Sequence, residues 1–177
     1  MSYEPVQHIN QRISIHHLWA FVILAGVFIF VNTHPIRPHD FWWHIAVGRE
    51  IQIDRQIPKV DTYSYTMAGE NYPSYQGFWL MEILLYMIYR LGGPALVVFF
   101  QSLVITSAYL LVFITCLKQT DNWRLAAFGT AFASALGMND WNVRPQAITI
   151  LLGAFFLFLI QQFRSGAKRR WAFFSNP

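Results

Sequence analysis

Apolar runs long enough to cross a lipid bilayer are the strongest constraint on how this chain can fold. A membrane-spanning helix needs roughly 20 apolar residues to cover about 30 Å of hydrocarbon. Residues 94–117 and 146–163 come close to or exceed this length without a charged side chain. The weaker candidates are residues 18–33, 77–91 and 124–138. The sequence therefore predicts an all-α integral membrane protein with four or five transmembrane helices.

The composition agrees with this class. Of the 177 residues, 55% are hydrophobic and only 12% are charged, whereas a soluble domain carries about 25% charged residues. The formal net charge is +4, but the basic residues flank apolar runs, where they determine membrane orientation. Membrane lipid, and not nucleic acid, is therefore the predicted partner. The single cysteine, Cys116, excludes a disulfide or a cysteine metal site within one chain.

Basic residues near both ends predict the orientation of the chain. Residues 1–17 form a polar leader, and no small-residue cleavage site follows the first apolar run, so that run is predicted to be retained. Residues 18–163 form the predicted transmembrane module, and residues 164–177 form a basic tail. Both ends are predicted to be cytoplasmic, which requires an even number of crossings. The weakest run, residues 124–138, is expected to be the segment that does not cross.

Residues 35–76 are too long and too polar for a simple connector, and long loops tend to be functional. The loop is predicted to lie outside the cytoplasm and to begin with an amphipathic helix, residues 40–55, in the membrane interface. Trp43, Val47 and Ile51 recur at four-residue spacing on one side of this helix. The other side is predicted to present a polar face, which consists of Asp40, His44 and Gly48.

A helix break is predicted farther along the chain, at Gly92–Gly93–Pro94. Two glycines followed by proline mark a tight turn. Residues 77–91 and 94–117 are therefore predicted to be separate helices.

Several polar side chains near the predicted outer surface are candidates for chemistry. Glu82 lies inside an apolar run, where an acidic side chain is costly unless it faces a cavity or a partner. Asp40 allows two interpretations, a functional carboxylate or an N-cap that accepts backbone N–H groups. Asp61 is likewise either functional or the first residue of an Asx-turn. His44 is either a ligand or a satisfied interface residue.

A family resemblance is carried by the succession HDFWWHIAVGREI…QIPKVDTYSYTMAGENYPSYQGFWLMEILLYMIYRLGG and the later NVRPQ. This pattern resembles the N-terminal part of bacterial membrane glycosyltransferases of the GT-C superclass, which includes protein mannosyltransferases and aminoarabinose transferases. The resemblance covers about residues 40–162, and its most specific part is D-x-W-W-H…G…I-P-x-x-D-x-x-S. It implies a multi-pass protein of the bacterial inner membrane that transfers a sugar from a polyprenyl-phosphate donor at the outer face.

The resemblance also implies roles for individual residues. Asp40 and Asp61 would be the catalytic carboxylates, with Asp40 as the general base for the acceptor hydroxyl. Arg144 would contact the phosphate through paired N–H donors. The other substrate-binding or phosphate-binding candidates are Glu82, His44 and Arg49. Family members often carry an acidic pair after the first span, but Pro38 stands where the first acid falls, so a divalent metal cofactor stays an open question.

Family members usually carry many more spans than this sequence contains. The chain is therefore expected to be truncated relative to the family, with a C-terminal module or a further membrane subunit as its partner, and its activity on its own stays open. The alternative from another class is a non-catalytic structural subunit of a larger membrane complex, since aromatic and small residues suit helix packing.

Overall fold

The fold is a set of helices joined by turns and one long loop. The computed structural model describes residues 15–37, 40–71 and 75–174, and within these ranges it contains no β-strand. Most of the leader and the residues Pro38 and His39 lie outside the described part. The elements are α1 (Ile15–Thr33), α2 (Phe41–Asp54), α3 (Tyr75–Thr120), α4 (Trp123–Gly137), a 3₁₀ turn (Met138–Asp140) and α5 (Ala147–Phe174).

Three of the described helical segments are long and apolar enough to cross a membrane: Ile15–Thr33, Gly77–Thr120 and Ala147–Ser165. The most apolar windows of the first and the last are only 11% and 6% buried inside the protein. Such large apolar surfaces are rare on soluble monomers. They are therefore consistent with a membrane-associated protein.

The long helix α3 breaks into two arms where the sequence predicted a break. Gly92 has φ −151° and ψ 20°, and Gly93 has φ 63° and ψ −160°, so both residues leave helical geometry. Glycine adopts the positive φ of Gly93 without strain because it has no Cβ. We call residues 75–91 the first arm of α3 and residues 94–120 its second arm.

The second arm runs antiparallel to α1. The ring of Phe28, near the end of α1, lies 5.8 Å from the ring of Phe99, near the start of the second arm. At the opposite end, Ala20 of α1 packs on the buried cluster that contains Phe113. The end of α1 therefore lies level with the start of the second arm, and we call this level the loop end of the bundle.

Helix α4 runs back toward the loop end, alongside α1. The ring of Trp123 at its start lies 5.1 Å from the ring of His17, and Trp141, just after its end, lies 5.7 Å from Phe30. Its interior residue Thr130 is fully buried. Small side chains therefore let this weakly apolar helix pack closely between its neighbours. Helix α4 is not among the segments long and apolar enough to span a membrane, and the expectation that residues 124–138 do not cross stays a prediction.

Helix α5 then follows the same direction as the second arm of α3. Near the loop end, Ile150 packs on the cluster that contains Trp141. At the other end, the ring of Phe158 lies 5.1 Å from the ammonium nitrogen of Lys118. Helix α1, the second arm, α4 and α5 thus form a bundle in which successive helices alternate in direction.

At the loop end, α2 packs against the first arm of α3. Phe41 and Ile45 share a buried cluster with Leu85 of the first arm and Val97 of the second. The contact is closest at Gly48, where an added Cβ would overlap the backbone carbonyl of Glu82. Glycine is therefore required there for the two helices to approach one another.

The segment after α2 is fixed by a closed turn. Residues Val60 and Asn71 form an antiparallel bridge, and the amide of Asp61 donates to the carbonyl of Glu70 at 2.9 Å. The Tyr63 hydroxyl donates to Oε2 of Glu50 at 2.6 Å, which attaches the turn to α2. This part of the loop therefore has a defined structure.

Candidate functional site

The first candidate pair joins two residues that are 104 positions apart in the sequence. Nη2 of Arg144 lies 2.9 Å from Oδ2 of Asp40, and both side chains are about 40% exposed, with 40% for Arg144 and 41% for Asp40. The Asp40 carboxylate makes no side-chain hydrogen bond to the N-terminus of α2. The N-cap interpretation of this carboxylate is therefore wrong, and its charge is directed to Arg144.

Arg144 is held at the loop end by the residues on either side of it. Val143 packs on the cluster around Phe41, the first residue of α2. Pro145 is completely buried, and a proline disfavours helical geometry in the residue before it. The chain at Arg144 is thus anchored on both sides, and its side chain projects to the surface beside Asp40.

A second pair, His44 and Glu82, is buried between α2 and the first arm of α3. Nδ1 of His44 lies 2.8 Å from Oε1 of Glu82, and the two side chains are 8% and 3% exposed. This distance is that of a hydrogen bond between the imidazole and the carboxyl group. The His44 ring also stacks on Trp43, with centroids 5.8 Å apart. Oε2 of Glu82 is buried with no hydrogen-bond partner among the described residues.

The predicted polar face of α2 is a packing face. His44 and Gly48 are buried, at 6% exposure for His44, and both contact the first arm of α3 at Glu82. The expectation that Asp40, His44 and Gly48 together face the membrane surface is wrong for the last two. The pattern misleads because both residue types also occur inside a protein. A histidine is accommodated there when it has a carboxylate partner, and a glycine is accommodated where two helices touch.

Asp61 lies in the closed turn and is almost completely buried, at 2% exposure. Its Oδ1 accepts from the amides of Tyr63 at 2.8 Å and Ser64 at 2.9 Å, and the Ser64 hydroxyl donates to Oδ2. These bonds have the pattern of an Asx-turn. The catalytic role of Asp61 stays a prediction; what the geometry establishes is that Asp61 holds the turn together.

The other candidates are more scattered. Arg49 is exposed on α2. Among the described residues, no group of three or more histidine, cysteine, aspartate or glutamate side chains is arranged to hold a metal ion. The sequence-predicted site thus resolves into two pairs, Asp40–Arg144 and His44–Glu82, rather than one cluster.

Two cavities of different polarity meet at the segment that carries Arg144. A groove of about 610 Å³ lies between the first arm of α3 and the start of α5, and apolar residues such as Phe78, Met81 and Leu152 line most of it. A smaller chamber of about 150 Å³ has polar walls that include Arg37 and Asn142. Val143 lines the chamber and Pro145 lines the groove. Arg144 itself lines a third, open cavity of about 450 Å³, together with Asn142 and Gln146.

Sequence reasoning missed one polar residue that belongs to this region. Gln101 of the second arm is 1% exposed, and its Nε2 donates to the carbonyl of Asn142 at 3.1 Å. The available signal was a glutamine inside the otherwise apolar run of residues 94–117, since a polar side chain in such a run usually has a partner.

Comparison of the chain with protein-family models, with curated proteins and with solved structures finds no match.

Proposed function

We propose that this chain forms the N-terminal transmembrane module of a membrane glycosyltransferase, which transfers a sugar from a polyprenyl-phosphate donor to an acceptor hydroxyl. The observation that carries the proposal is the Asp40–Arg144 pair, since Pro145 and Gln146, which follow Arg144 in the chain, line an apolar groove. A donor of this class needs an apolar groove for its chain, a cation for its phosphate and a carboxylate near its reacting carbon. The loop end of the bundle offers all three.

The proposed reaction divides its chemistry between the two charged residues. The acceptor oxygen forms a bond to the anomeric carbon while the bond from that carbon to the phosphate oxygen breaks. The hydroxyl proton moves to Asp40, which is general-base catalysis. The electron pair leaves with the phosphate, whose charge Arg144 stabilises. Because both side chains are about 40% exposed, Arg144 can exchange the carboxylate for the phosphate without leaving a buried charge unpaired.

We propose four crossings, made by α1, the second arm of α3, α4 and α5. The end of α1 and the start of the second arm lie at the same level, and the chain between them contains one apolar segment, the first arm. If the first arm crossed the membrane, the second arm would have to start at the membrane surface opposite to the end of α1. The first arm therefore stays with α2 at the outer surface. The start of α1 and the end of α5 are both on the cytoplasmic side.

Cysteine labelling tests this topology in a Cys116→Ser background. We expect Tyr65→Cys, whose parent side chain is 99% exposed in the loop, to react with a membrane-impermeant maleimide in intact cells. Gln119→Cys, at the end of the second arm, should react only after lysis. If the first arm crossed and α4 did not, Gln119→Cys would be labelled from outside, and the four-crossing arrangement would be overturned.

Donor binding tests the role of Arg144. We expect the purified chain in detergent to bind polyprenyl phosphate more tightly than polyprenol, which lacks the charge. Arg144→Gln should weaken phosphate-donor binding about tenfold, the loss expected for a charge-assisted hydrogen bond. Arg90→Gln, which removes an exposed charge from the first arm, is the matched control and should leave binding unchanged. Equal binding of the two lipids, or equal loss in both variants, would contradict the proposed role.

A structural subunit of a larger membrane complex is the second candidate. The outward face of α4 favours it, because this face carries an exposed row formed by Leu125, Phe128, Phe132 and Leu136. A helix partner would bury such a row, although lipid also covers apolar faces. Purification in a mild detergent distinguishes the two functions, since constant stoichiometry with an unrelated membrane protein favours the structural role.

A further inference from the structure

Gln101 reaches across the bundle to the backbone carbonyls of residues 141–142. Its Nε2 lies 3.1 Å from the carbonyl oxygen of Asn142 and 3.5 Å from that of Trp141. Gln101 is 1% exposed and belongs to the second arm of α3. A buried glutamine costs free energy unless its amide is hydrogen-bonded. These two contacts are therefore the reason that a polar side chain is tolerated at this position.

The chemistry of the partners fixes the orientation of the Gln101 amide. Both partners are carbonyl oxygens, which only accept hydrogen bonds. The NH₂ group must therefore face the segment, because the amide oxygen would repel both carbonyls. Two amide hydrogens serve two carbonyls, so a side chain with one donor or none cannot replace this arrangement.

The anchored carbonyls lie two and three residues before Arg144. Val143 packs on the cluster around Phe41, and Pro145 is buried. Gln101 thus supplies the hydrogen bonds to the carbonyls of Trp141 and Asn142, while Arg144 is held by Asp40 and by the bond from the Ala147 amide to its carbonyl at 3.0 Å. Apolar contacts are non-directional, so they do not determine the rotation of the backbone at Trp141 and Asn142. Hydrogen bonds to the carbonyls do.

We infer that Gln101 is a positioning residue, which sets the backbone of residues 141–142 so that Arg144 meets Asp40. The inference rests on the proposed function only for the use that the protein makes of the Asp40–Arg144 pair. The positioning itself is a property of the folded chain and is measurable without a substrate.

Cross-linking of two introduced cysteines tests the inference. In a Cys116→Ser background, Asp40→Cys and Arg144→Cys are joined by a short bifunctional thiol reagent in membranes, with and without Gln101→Met. Methionine keeps the length and packing of glutamine but donates no hydrogen bond. We expect the cross-linking rate to fall about fivefold, the equivalent of losing roughly one net hydrogen bond.

Two controls separate positioning from general loosening of the fold. Ser102→Ala removes a buried hydroxyl that bonds only within its own helix, to the carbonyl of Val98 at 2.8 Å, and should not change the rate. A second cysteine pair, Phe28→Cys with Phe99→Cys, reports the contact between α1 and the second arm and should cross-link equally with Gln101 or methionine.

An unchanged rate for the 40–144 pair in Gln101→Met would overturn the inference, and so would an equal fall for both cysteine pairs. Should Gln101→Met fail to accumulate in membranes, Gln101→Leu replaces it, because leucine also fills an apolar interior and donates no hydrogen bond, and it is judged by the same outcomes. Absence of sugar transfer leaves the cross-linking result intact, so failure of the proposed function is distinguishable from failure of this inference.

Discussion

Gly48→Ala is expected to destabilise the protein by about 3 kcal/mol, the upper part of the range for overpacking in a dense interior. The added Cβ would overlap the carbonyl of Glu82 and lie 3.0 Å from the Cβ of Tyr86. The carbonyl belongs to the backbone of the first arm, so it cannot turn away as a side chain would. Relief requires α2 to move, which also separates His44 from Glu82.

The sign of this effect is informative because alanine normally stabilises a helix relative to glycine, by up to about 1 kcal/mol. Gly26→Ala and Gly153→Ala are matched controls, since a Cβ at either position meets nothing within 4 Å. Thermal unfolding in detergent, followed by tryptophan fluorescence, should show a lower midpoint for Gly48→Ala and an equal or higher midpoint for the controls. The same midpoint for all three variants would contradict the close helix contact at Gly48.

Local sequence patterns predicted the helices but not their partners. The apolar runs and the turn signal at Gly92–Gly93 are patterns among residues close together in the sequence. The structure has helices at the apolar runs and a break at the two glycines. Hydropathy does not show how the small-residue run 124–138 packs, because it measures transfer to an apolar environment and not close contact between helices. Helix α4 is instead stabilised by close packing, with Ala126 and Thr130 fully buried.

The candidate site depends on contacts between distant positions, which a single sequence does not encode locally. His44 and Glu82 are 38 residues apart, and Gln101 and Asn142 are 41 apart. Sequence reasoning nominated Asp40, His44, Glu82 and Arg144, but it did not predict which of them form pairs. Periodicity assigned His44 to a polar face because it cannot show that the opposing helix supplies a buried carboxylate.

Asp40→Asn is expected to reduce sugar transfer by about 10²-fold or more, because asparagine keeps the shape of the side chain but cannot accept the acceptor proton. Its effect on stability should be small. A partly exposed ion pair contributes about 1 kcal/mol or less, and the Asp40 carboxylate does not cap α2. A loss of activity therefore reports chemistry rather than unfolding. Asp54→Asn, which neutralises an exposed acid at the end of the same helix, is the matched control.

The most direct measurement is the consumption of a radiolabelled polyprenyl-phosphate sugar by native membranes, in which the chain is present at matched abundance together with its predicted C-terminal module or subunit. Label transferred to an acceptor and label released to water are counted together, so the identity of the acceptor is not needed. The account predicts consumption above chain-free membranes for the parent and for Asp54→Asn, and near-background consumption for Asp40→Asn and Asp40→Ala. Parental consumption in Asp40→Asn, or none in the parent itself, would contradict it.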